Sequence, residues 1–194
     1  MAGTNSNLVT AGKPKVGGAI FVAPLGSKLP LSATEELDKS AFVSLGYISD
    51  KGVSNEDKAE SKTIKAWGGD PVLVIQESKT DKFKFSMIEA LNIDVLKNVY
   101  GADSVSGTLE TGIKIKVNSN PKPDYSLVID MVLKDNILKR LVIPIASVGS
   151  ISEVKYSDTD AVGYEATIIC KPDAQGNTHY EYLQKTPTAG GSLA

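Results

Sequence analysis

SDKGVSNEDKAESKTIKAWGGDPVLVIQES, residues 49–78, sets a turn-rich, charged segment beside a tryptophan, two glycines and an apolar run. Acidic side chains and lysines balance each other between residues 50 and 65, so the segment cannot clamp a phosphate. It can pair with a complementary copy of the same protein and set register. We therefore predict that residues 49–62 form an extended docking loop, although a merely solvated loop fits the sequence equally well.

The candidate contacts between subunits come from this stretch. They are Asp50, Lys51, Glu56, Asp57, Lys58, Glu60, Lys62, Lys65, Trp67 and Asp70. A large ring beside two glycines can wedge against a neighbouring surface, so we expect Trp67 to be a packed anchor under the loop rather than a ligand platform.

The flanking sequence alternates between apolar and polar residues, which is typical of strands. Residues 63–67 resume extended structure, 68–71 form a turn, and 71–78 with 81–89 predict a hairpin across Lys79 and Thr80. Further strands are expected at 18–24, 41–49, 111–119, 125–133, 137–146, 162–172 and 178–185. The last two are expected to form a hairpin, and Pro144 predicts that its strand ends at, or forms, a sheet edge.

One helix is expected, at residues 92–101, with Asn92 as N-cap and Gly101 closing the C-terminal end. About nine strands and one helix predict a mainly β fold, a β-sandwich or partly closed barrel with one short flanking α-helix. We expect an N-terminal arm at 1–17, a single β domain at 18–185 that carries the loop 49–62, and a flexible C-terminal tail at 186–194.

Composition excludes several classes of function. The 194 residues carry a net charge of −2, and Arg140 is the sole arginine, so the bidentate donor favoured for phosphates and bases is almost absent. Sequence-specific nucleic-acid binding is therefore not expected. The longest apolar runs, at 72–75 and 141–146, are too short to span a bilayer, so no membrane insertion is expected.

Catalytic residue types are scarce. His179 is the single histidine and Cys170 the single cysteine, and each lies in a predicted strand, where packing is the commoner role. We predict no catalytic residues, no metal site and no cofactor, and hence a protein that is not an enzyme.

Several blocks, in this order and spacing, resemble the major tail tube proteins of long, non-contractile-tailed (siphovirus-type) bacteriophages of Gram-positive hosts. They are GKPKVGGAIFVAP (12–24), FVSLGYIS (42–49), TIKAWGGDPVL (63–73), DKFKFSMIEALNIDVLKNVYG (81–101), VIDMVLKDNILKRLVIP (128–144) and AVGYEATIICKPDAQGNTHYEY (161–182). The likeness covers about residues 9–185, and no single block is a mechanistic signature.

The resemblance implies a structural virion protein, made in the host cytoplasm, that polymerises into stacked, usually hexameric rings. The rings form the hollow tail tube through which the double-stranded DNA genome is ejected. The resemblance also implies a fold similar to the type VI secretion tube. The implied partners are further copies of the chain, a tape measure protein inside the tube, and the distal tail and tail terminator proteins. DNA passes without specific binding.

One alternative is a carbohydrate- or protein-binding β-sandwich, such as a receptor-binding or decoration module, with Trp67, Tyr180 and Tyr182 as contacts. Such a module is expected to stay a monomer or small oligomer. A hydrolase would need a pair of carboxylates, and the sequence nominates none.

Overall fold

A computed structural model of the chain describes residues 3–186. Strands make up 46% of the chain and helical turns 9%, so the mainly β prediction with one α-helix is confirmed. The strands are β1 Lys13–Pro14, β2 Ile20–Pro24, β3 Val43–Ser44, β4 Ile48–Lys65, β5 Pro71–Met87, β6 Val105–Ser106, β7 Lys114–Ile115, β8 Tyr125–Val132, β9 Ile137–Ile151, β10 Tyr164–Lys171 and β11 Tyr180–Lys185; the helix α1 is Ile93–Tyr100.

Nine of these strands form one antiparallel sheet that does not close on itself. Its order is β3-β2-β8-β9-β10-β5-β4, and β1 adds to β8 while β11 adds to β9. Strands β6 and β7 form a separate two-stranded ribbon. Two predicted strands are much shorter than expected: only Val43–Ser44 and the start of β4 are extended within 41–49, and only Lys114–Ile115 within 111–119.

Pro144 lies inside the central strand β9, so the prediction that it marks a sheet edge is wrong. On one side of β9 the partner changes from β11, which ends its pairing at Val142, to β10, which begins at Ile145. On the other side the pairing with β8 shifts register between Ile143 and Ala146. The residue without a backbone N–H therefore occupies the gap in both ladders, where no donor is needed.

Strands β10 and β11 do not form the predicted hairpin. Both run antiparallel to β9, one after the other, with Lys171 opposite Ile145 and Tyr180 opposite Val142. The loop at residues 172–179 leaves the sheet between them. Because β10 stops at Lys171, the neighbouring β5 continues past the body of the sheet, and no other described strand pairs with it on that side.

The main core lies between one sheet face and the helix. Inward side chains of β5, β10 and β8 pack with Val95, Leu96 and Val99 of α1. The helix begins as predicted, because the Asn92 side chain accepts a hydrogen bond from the Asp94 amide at 3.0 Å, and Gly101 closes it with a positive φ of 95°. Cys170 is buried in this core, and burial raises its thiol pKa to about 12.

A second, smaller core covers half of the opposite sheet face. The segment at 25–42 folds over β2, β8 and the first half of β9 and buries Phe42 against Val128 and Val142. Arg140 fixes this cover from below, because its Nη1 donates to the carbonyl oxygens of Ser32 at 3.1 Å and Glu35 at 2.5 Å. Within residues 3–186, no segment covers the other half of the face, over β10, β5 and β4.

The predicted N-terminal arm is partly bound to its own subunit. Lys13 and Pro14 pair with Val132 and Met131 of β8, and the Thr10 hydroxyl accepts a hydrogen bond from the Lys134 amide at 2.9 Å. Residues 1–2 and the predicted tail beyond Thr186 lie outside the described residues. The division into arm, domain and tail stays a prediction.

Candidate assembly interface

Strands β4 and β5 form a long hairpin, here called the arm (residues 54–80), that projects from the sheet. The pairing is continuous from Val53 opposite Phe85 to Lys65 opposite Pro71, with two register shifts. From Ser54 to Lys79 every residue is exposed. Because a strand rises about 3.3 Å per residue, the arm extends about 33 Å beyond Asp81, where β5 enters the core.

The arm corrects two predictions. Residues 49–62 are strand rather than loop, and no turn interrupts β5 at Lys79 and Thr80. The turn predicted at 68–71 is present to within one residue, at 67–70, where Gly68 and Gly69 have φ of 109° and 101°. Cross-strand pairing gives polar residues such as Asn55 and Glu56 an extended conformation that their own β-propensity does not favour.

The ten candidate contact residues all lie on β4 or in the arm turn, and all are exposed. Four of them are already in three ion pairs within the arm: Asp57 with Lys79 at 3.1 Å, Lys58 with Glu60 at 3.2 Å, and Lys62 with Glu77 at 3.6 Å. These pairs are solvent-exposed and each stabilises the arm by about 1 kcal/mol at most. Their role between subunits stays a prediction.

The tip of the arm is apolar, which the list of candidate contacts missed. Val72, Leu73, Val74 and Ile75 are 62%, 52%, 64% and 43% exposed, and Trp67 in the turn is fully exposed. The expectation that Trp67 packs beneath a loop is therefore wrong for the single chain. The VLVI run at 72–75 could have indicated this apolar tip from the sequence. Four consecutive apolar residues are typical of a strand that is buried on both faces.

A buried carboxylate holds the root of the arm. Asp81 accepts hydrogen bonds from the Thr178 hydroxyl at 2.6 Å and from Asn55 Nδ2 at 2.8 Å, and its Oδ2 lies 2.6 Å from His179 Nδ1. Burial raises the pKa of Asp81, but these three hydrogen bonds outweigh burial and hold the pKa below its ordinary 3.8. The cluster joins β4, β5 and the loop before β11, so it sets the direction in which the arm leaves the body.

The uncovered half of the sheet, here called the open face, is polar and charge-balanced. One row across it places Ser54, Lys84, Thr167 and Ser150 side by side. Lys84 Nζ lies 2.8 Å from Glu165, and Lys171 Nζ lies 2.9 Å from Asp124.

In the next row of the open face Glu56 is directly opposite Lys82. Lys84 and Lys171 of this face each have a carboxylate within 3 Å, and Lys82 is opposite Glu56 in the register, so much of the positive charge of these lysines is balanced.

The sheet ends in unpaired edges. Within residues 3–186, β4 pairs only with β5, β3 only with β2, and β11 only with β9. An exposed edge of 18 residues, Ile48–Lys65, is long for a protein that remains a monomer, because unpaired strand edges template further pairing.

Among the described residues, no three His, Cys, Asp or Glu side chains are grouped so as to hold a metal ion. His179 is packed edge-on against Phe83, with ring centroids 5.3 Å apart, and its Nδ1 forms the hydrogen bond with Asp81 at the root of the arm. In the same part of the chain, no helix has both the length and the apolar character needed to cross a membrane.

The aromatic residues of the alternative binding module do not converge. Tyr180 and Tyr182 stack with centroids 6.5 Å apart and pack on the smaller core, and the Tyr180 hydroxyl donates to Asp173 at 2.6 Å. Trp67 is at the far end of the arm, about 30 Å from the root beside His179. The three rings cannot line one binding site in a single chain.

The comparisons with known proteins agree with a structural role. A family model described as "Phage tail tube protein" matches residues 1–191. A search of curated proteins finds no match to the chain.

Proposed function

This chain belongs to the phage tail tube protein family, and from that premise we propose that its copies close into hexameric rings that stack into the hollow tube for genome ejection. Membership makes the chain a structural component of the virion tail that assembles with itself. Ring closure, stacking and passage of double-stranded DNA are the further steps proposed here.

The arm is the observation that carries this proposal. An isolated chain gains nothing from a 33 Å hairpin whose apolar tip is in water, because about 25 cal/mol is forfeited for each Å² of apolar surface left exposed. The arm supports a contact with a neighbouring ring, since it reaches farther than any other described element. The ten predicted contact residues, from Asp50 to Asp70, remain the proposed polar part of that contact.

The unpaired edges support closure into a ring. In a head-to-tail interface between identical copies, an unpaired edge strand of one copy pairs with a different edge strand of the next copy. The copies form a closed ring when the rotations between successive copies add up to a full turn. Each copy is then incomplete alone, and its backbone pairing is completed only around an axis.

The open face supports a bore that lets DNA slide. Each cationic contact to a phosphate adds affinity and therefore drag. On this face Lys84 is neutralised by Glu165 and Lys171 by Asp124, and hydroxyls fill much of the rest. We propose that this face lines the lumen, and that no continuous lysine belt is present there.

The remaining partners follow from the resemblance. They are a tape measure protein inside the tube and the distal tail and tail terminator proteins at its ends, in a long-tailed phage of a Gram-positive host. Synthesis takes place in the host cytoplasm, and the protein performs no catalysis and binds no cofactor. The domain at 18–185 forms the tube wall. The N-terminal arm at 1–17 and the C-terminal tail at 186–194 contact neighbouring subunits.

Negative-stain microscopy of the purified protein at high concentration tests the proposal. Hollow filaments of uniform width are expected. Discrete particles under all conditions would instead favour the receptor-binding or decoration module, which stays a monomer or small oligomer.

A shortened arm provides the second test. Ala59 lies opposite Lys79, so replacing residues 60–78 by Asn-Gly leaves a paired stub that ends in a favoured two-residue turn. We expect a folded subunit, changed in unfolding free energy by less than about 0.5 kcal/mol, that no longer elongates.

The double change Lys155→Gln and Asp160→Asn is the matched control, since it removes one exposed ion pair outside the arm and keeps the whole arm. It should leave elongation intact. Filaments from the shortened protein would remove the arm from the mechanism.

A further inference from the structure

The hairpin turn between β8 and β9, residues 134–136, holds segments from both ends of the described chain. On one side the Lys134 amide donates a hydrogen bond to the Thr10 hydroxyl at 2.9 Å. On the other side the Asn136 carbonyl oxygen accepts hydrogen bonds from the amide of Thr186 at 3.3 Å and from its hydroxyl at 2.9 Å. The N-terminal segment and the end of β11 are therefore bound to backbone groups of the same turn.

The backbone of this turn has an uncommon conformation. Asp135 and Asn136 have φ of 58° and 56°. The Ile137 amide donates a hydrogen bond back to the Lys134 carbonyl oxygen. Two consecutive left-handed residues closed in this way form a type I′ turn, which residues other than glycine, asparagine and aspartate rarely adopt. The directions of the Lys134 amide and the Asn136 carbonyl follow from this conformation, so a change of turn type turns both groups away from their partners at once.

The N-terminal segment has few further contacts with the subunit. Lys13 and Pro14 pair with β8, and Lys15 Nζ lies 3.7 Å from Asp130. Every residue from 9 to 15 is exposed. A groove of about 630 Å³ lies between this segment and the turn, so apolar packing does not seal the segment against the sheet. The hydrogen bond to the turn therefore contributes much of the hold on this segment.

The end of β11 is held in a similar way. Lys185 opposite Ile137 is the last pair of β11 with β9, and residues 183–186 are exposed. Among the described strands, β11 pairs only with β9. The hydrogen bonds of Thr186 to the turn therefore close the end of an edge strand, where local opening costs least.

From these contacts we infer that the β8–β9 turn is a clasp that couples the N-terminal segment to the end of β11, so that release of one segment loosens the other. Coupling between two sites requires an element with two arrangements that both sites bias. The type I′ turn is this element, because each contact stabilises its left-handed form and loss of either contact makes other turn forms more accessible. Thermodynamic linkage makes the effect reciprocal.

The clasp is a property of the single subunit, but its use rests on the proposed function, in which both terminal segments contact neighbouring subunits. With the clasp, the two segments leave their own subunit in one step instead of two independent steps. A free subunit then keeps both segments bound, and a subunit that joins the tube releases both.

Hydrogen exchange of single amides in the free subunit tests the clasp, recorded by NMR below the concentration at which filaments form. Thr10→Val removes the acceptor of the Lys134 amide and keeps the shape of the side chain. The Thr186 amide, on the far side of the turn, should then exchange at least about threefold faster, as expected for loss of one hydrogen bond. Thr186→Val should speed exchange of the Lys134 amide by a similar factor.

Thr4→Val is the matched control, since Thr4 is exposed and lies outside both contacts. It should leave both exchange rates unchanged. Amides of α1 should keep their rates in every variant, which separates opening of the clasp from loss of the whole fold. If Thr10→Val speeds exchange of the Lys134 amide alone, the two contacts are independent and the inference is overturned.

Substitution of the turn itself gives a second test. Alanine disfavours the left-handed conformation of Asn136, whereas glycine adopts it readily. Asn136→Ala should therefore speed exchange of the Lys134 and Thr186 amides together, each by about tenfold. Asn136→Gly removes the same side chain and should keep both rates within about threefold of the unaltered protein. A rise at only one amide in Asn136→Ala would contradict a shared clasp.

Both tests use the free subunit, so their outcome is separate from that of the microscopy. Independent contacts overturn the clasp even if hollow filaments form. An absence of filaments overturns the proposed function, while the exchange rates still decide whether the turn couples the two segments.

Discussion

Arg140 and Asp130 form a buried, bidentate ion pair across strands β9 and β8. Arg140 Nε lies 2.6 Å from Oδ1 of Asp130, and Nη2 lies 2.8 Å from Oδ2. Arg140 is 1% exposed and is the sole arginine of the chain. The residue best suited to grip a phosphate is therefore consumed in holding the 25–42 cover on the sheet, and the surface of the subunit presents lysines alone as cations.

Breaking this pair should be costly. Arg140→Met leaves the Asp130 carboxylate buried with only Lys15, at 3.7 Å, beside it, and also removes the donor to two carbonyls of the cover. We expect a loss of about 3–5 kcal/mol in the free energy of unfolding. Urea unfolding followed by circular dichroism measures it.

The double variant Arg140→Met with Asp130→Leu removes both charges. It therefore separates the loss of the ion pair from the cost of leaving the Asp130 carboxylate buried without its partner. It should be more stable than Arg140→Met alone, because no charge is left buried without a partner. Lys171→Met serves as the exposed control, with a loss of about 1 kcal/mol at most. A single variant as stable as the control would contradict a structural role for Arg140.

The carboxylate of Asp81 makes arm attachment sensitive to acid. Its pKa is lower in the folded state than the ordinary 3.8, because hydrogen bonds from Thr178, His179 and Asn55 outweigh burial. A lowered pKa adds stability at neutral pH, and this stability is lost as pH falls through 3.8 toward the folded-state pKa.

Asp81→Asn should therefore reduce the free energy of unfolding by about 1–3 kcal/mol at neutral pH. The difference from the unaltered protein should shrink as pH falls below 3.8, when both carry an uncharged group at this position. Denaturant unfolding over the acid range measures both quantities.

Asp160→Asn, at an exposed carboxylate 3.3 Å from Lys155, is the control and should change stability by less than about 0.5 kcal/mol. A constant gap between Asp81→Asn and the unaltered protein at every pH would show that Asp81 acts without its charge.

Charge pairing on the open face predicts how the tube treats DNA. Lys84 lies 2.8 Å from Glu165, and this lysine is the main reason that the pKa of Glu165 is lowered. Glu165→Gln frees one positive charge per subunit. Tubes of this variant should retain short duplex DNA at low salt and release it as salt rises, with a log–log slope of about 0.9 per phosphate contacted.

Co-sedimentation of tubes with labelled duplex measures the retention. Glu36→Gln changes the subunit charge equally on the 25–42 cover, outside the open face, and should not retain DNA. Equal retention by both variants would contradict the placement of the open face along the bore.

The sequence predicted correctly those elements that depend on residues close together in the chain. Asn92 and Gly101 cap a helix by their own side-chain and backbone preferences, and alternation located β8 and β10 to within a residue or two. The residues that determine these elements are adjacent in the chain, so the sequence alone contains the information needed to predict them.

The failures arose where a distant partner decides the structure. Residues 49–62 are polar enough for a loop, yet pairing with β5 makes them a strand. Pro144 is tolerated centrally because two other strands break their ladders beside it. The arm tip was missed because exposure of the VLVI run depends on the end of β10 at Lys171, which no local pattern encodes.

Trp67 provides a direct signal for assembly, since it is the sole tryptophan and lies fully exposed at the arm turn. In the free subunit its emission should match that of tryptophan in water. Elongation should shift the emission to the blue, because docking transfers the ring from water to an apolar contact. The shift should appear only above the concentration at which filaments form.

Trp67→Ala should leave the free energy of unfolding of the subunit unchanged to within about 0.5 kcal/mol, because the ring is fully exposed and packs against none of the described residues. It should raise the concentration needed for elongation by at least about tenfold, as expected for an aromatic anchor worth about 2 kcal/mol at an interface. Trp67→Phe is the matched control and should restore most of the elongation. Filaments that form while Trp67 emission stays that of a water-exposed ring would place the arm turn outside every contact between subunits.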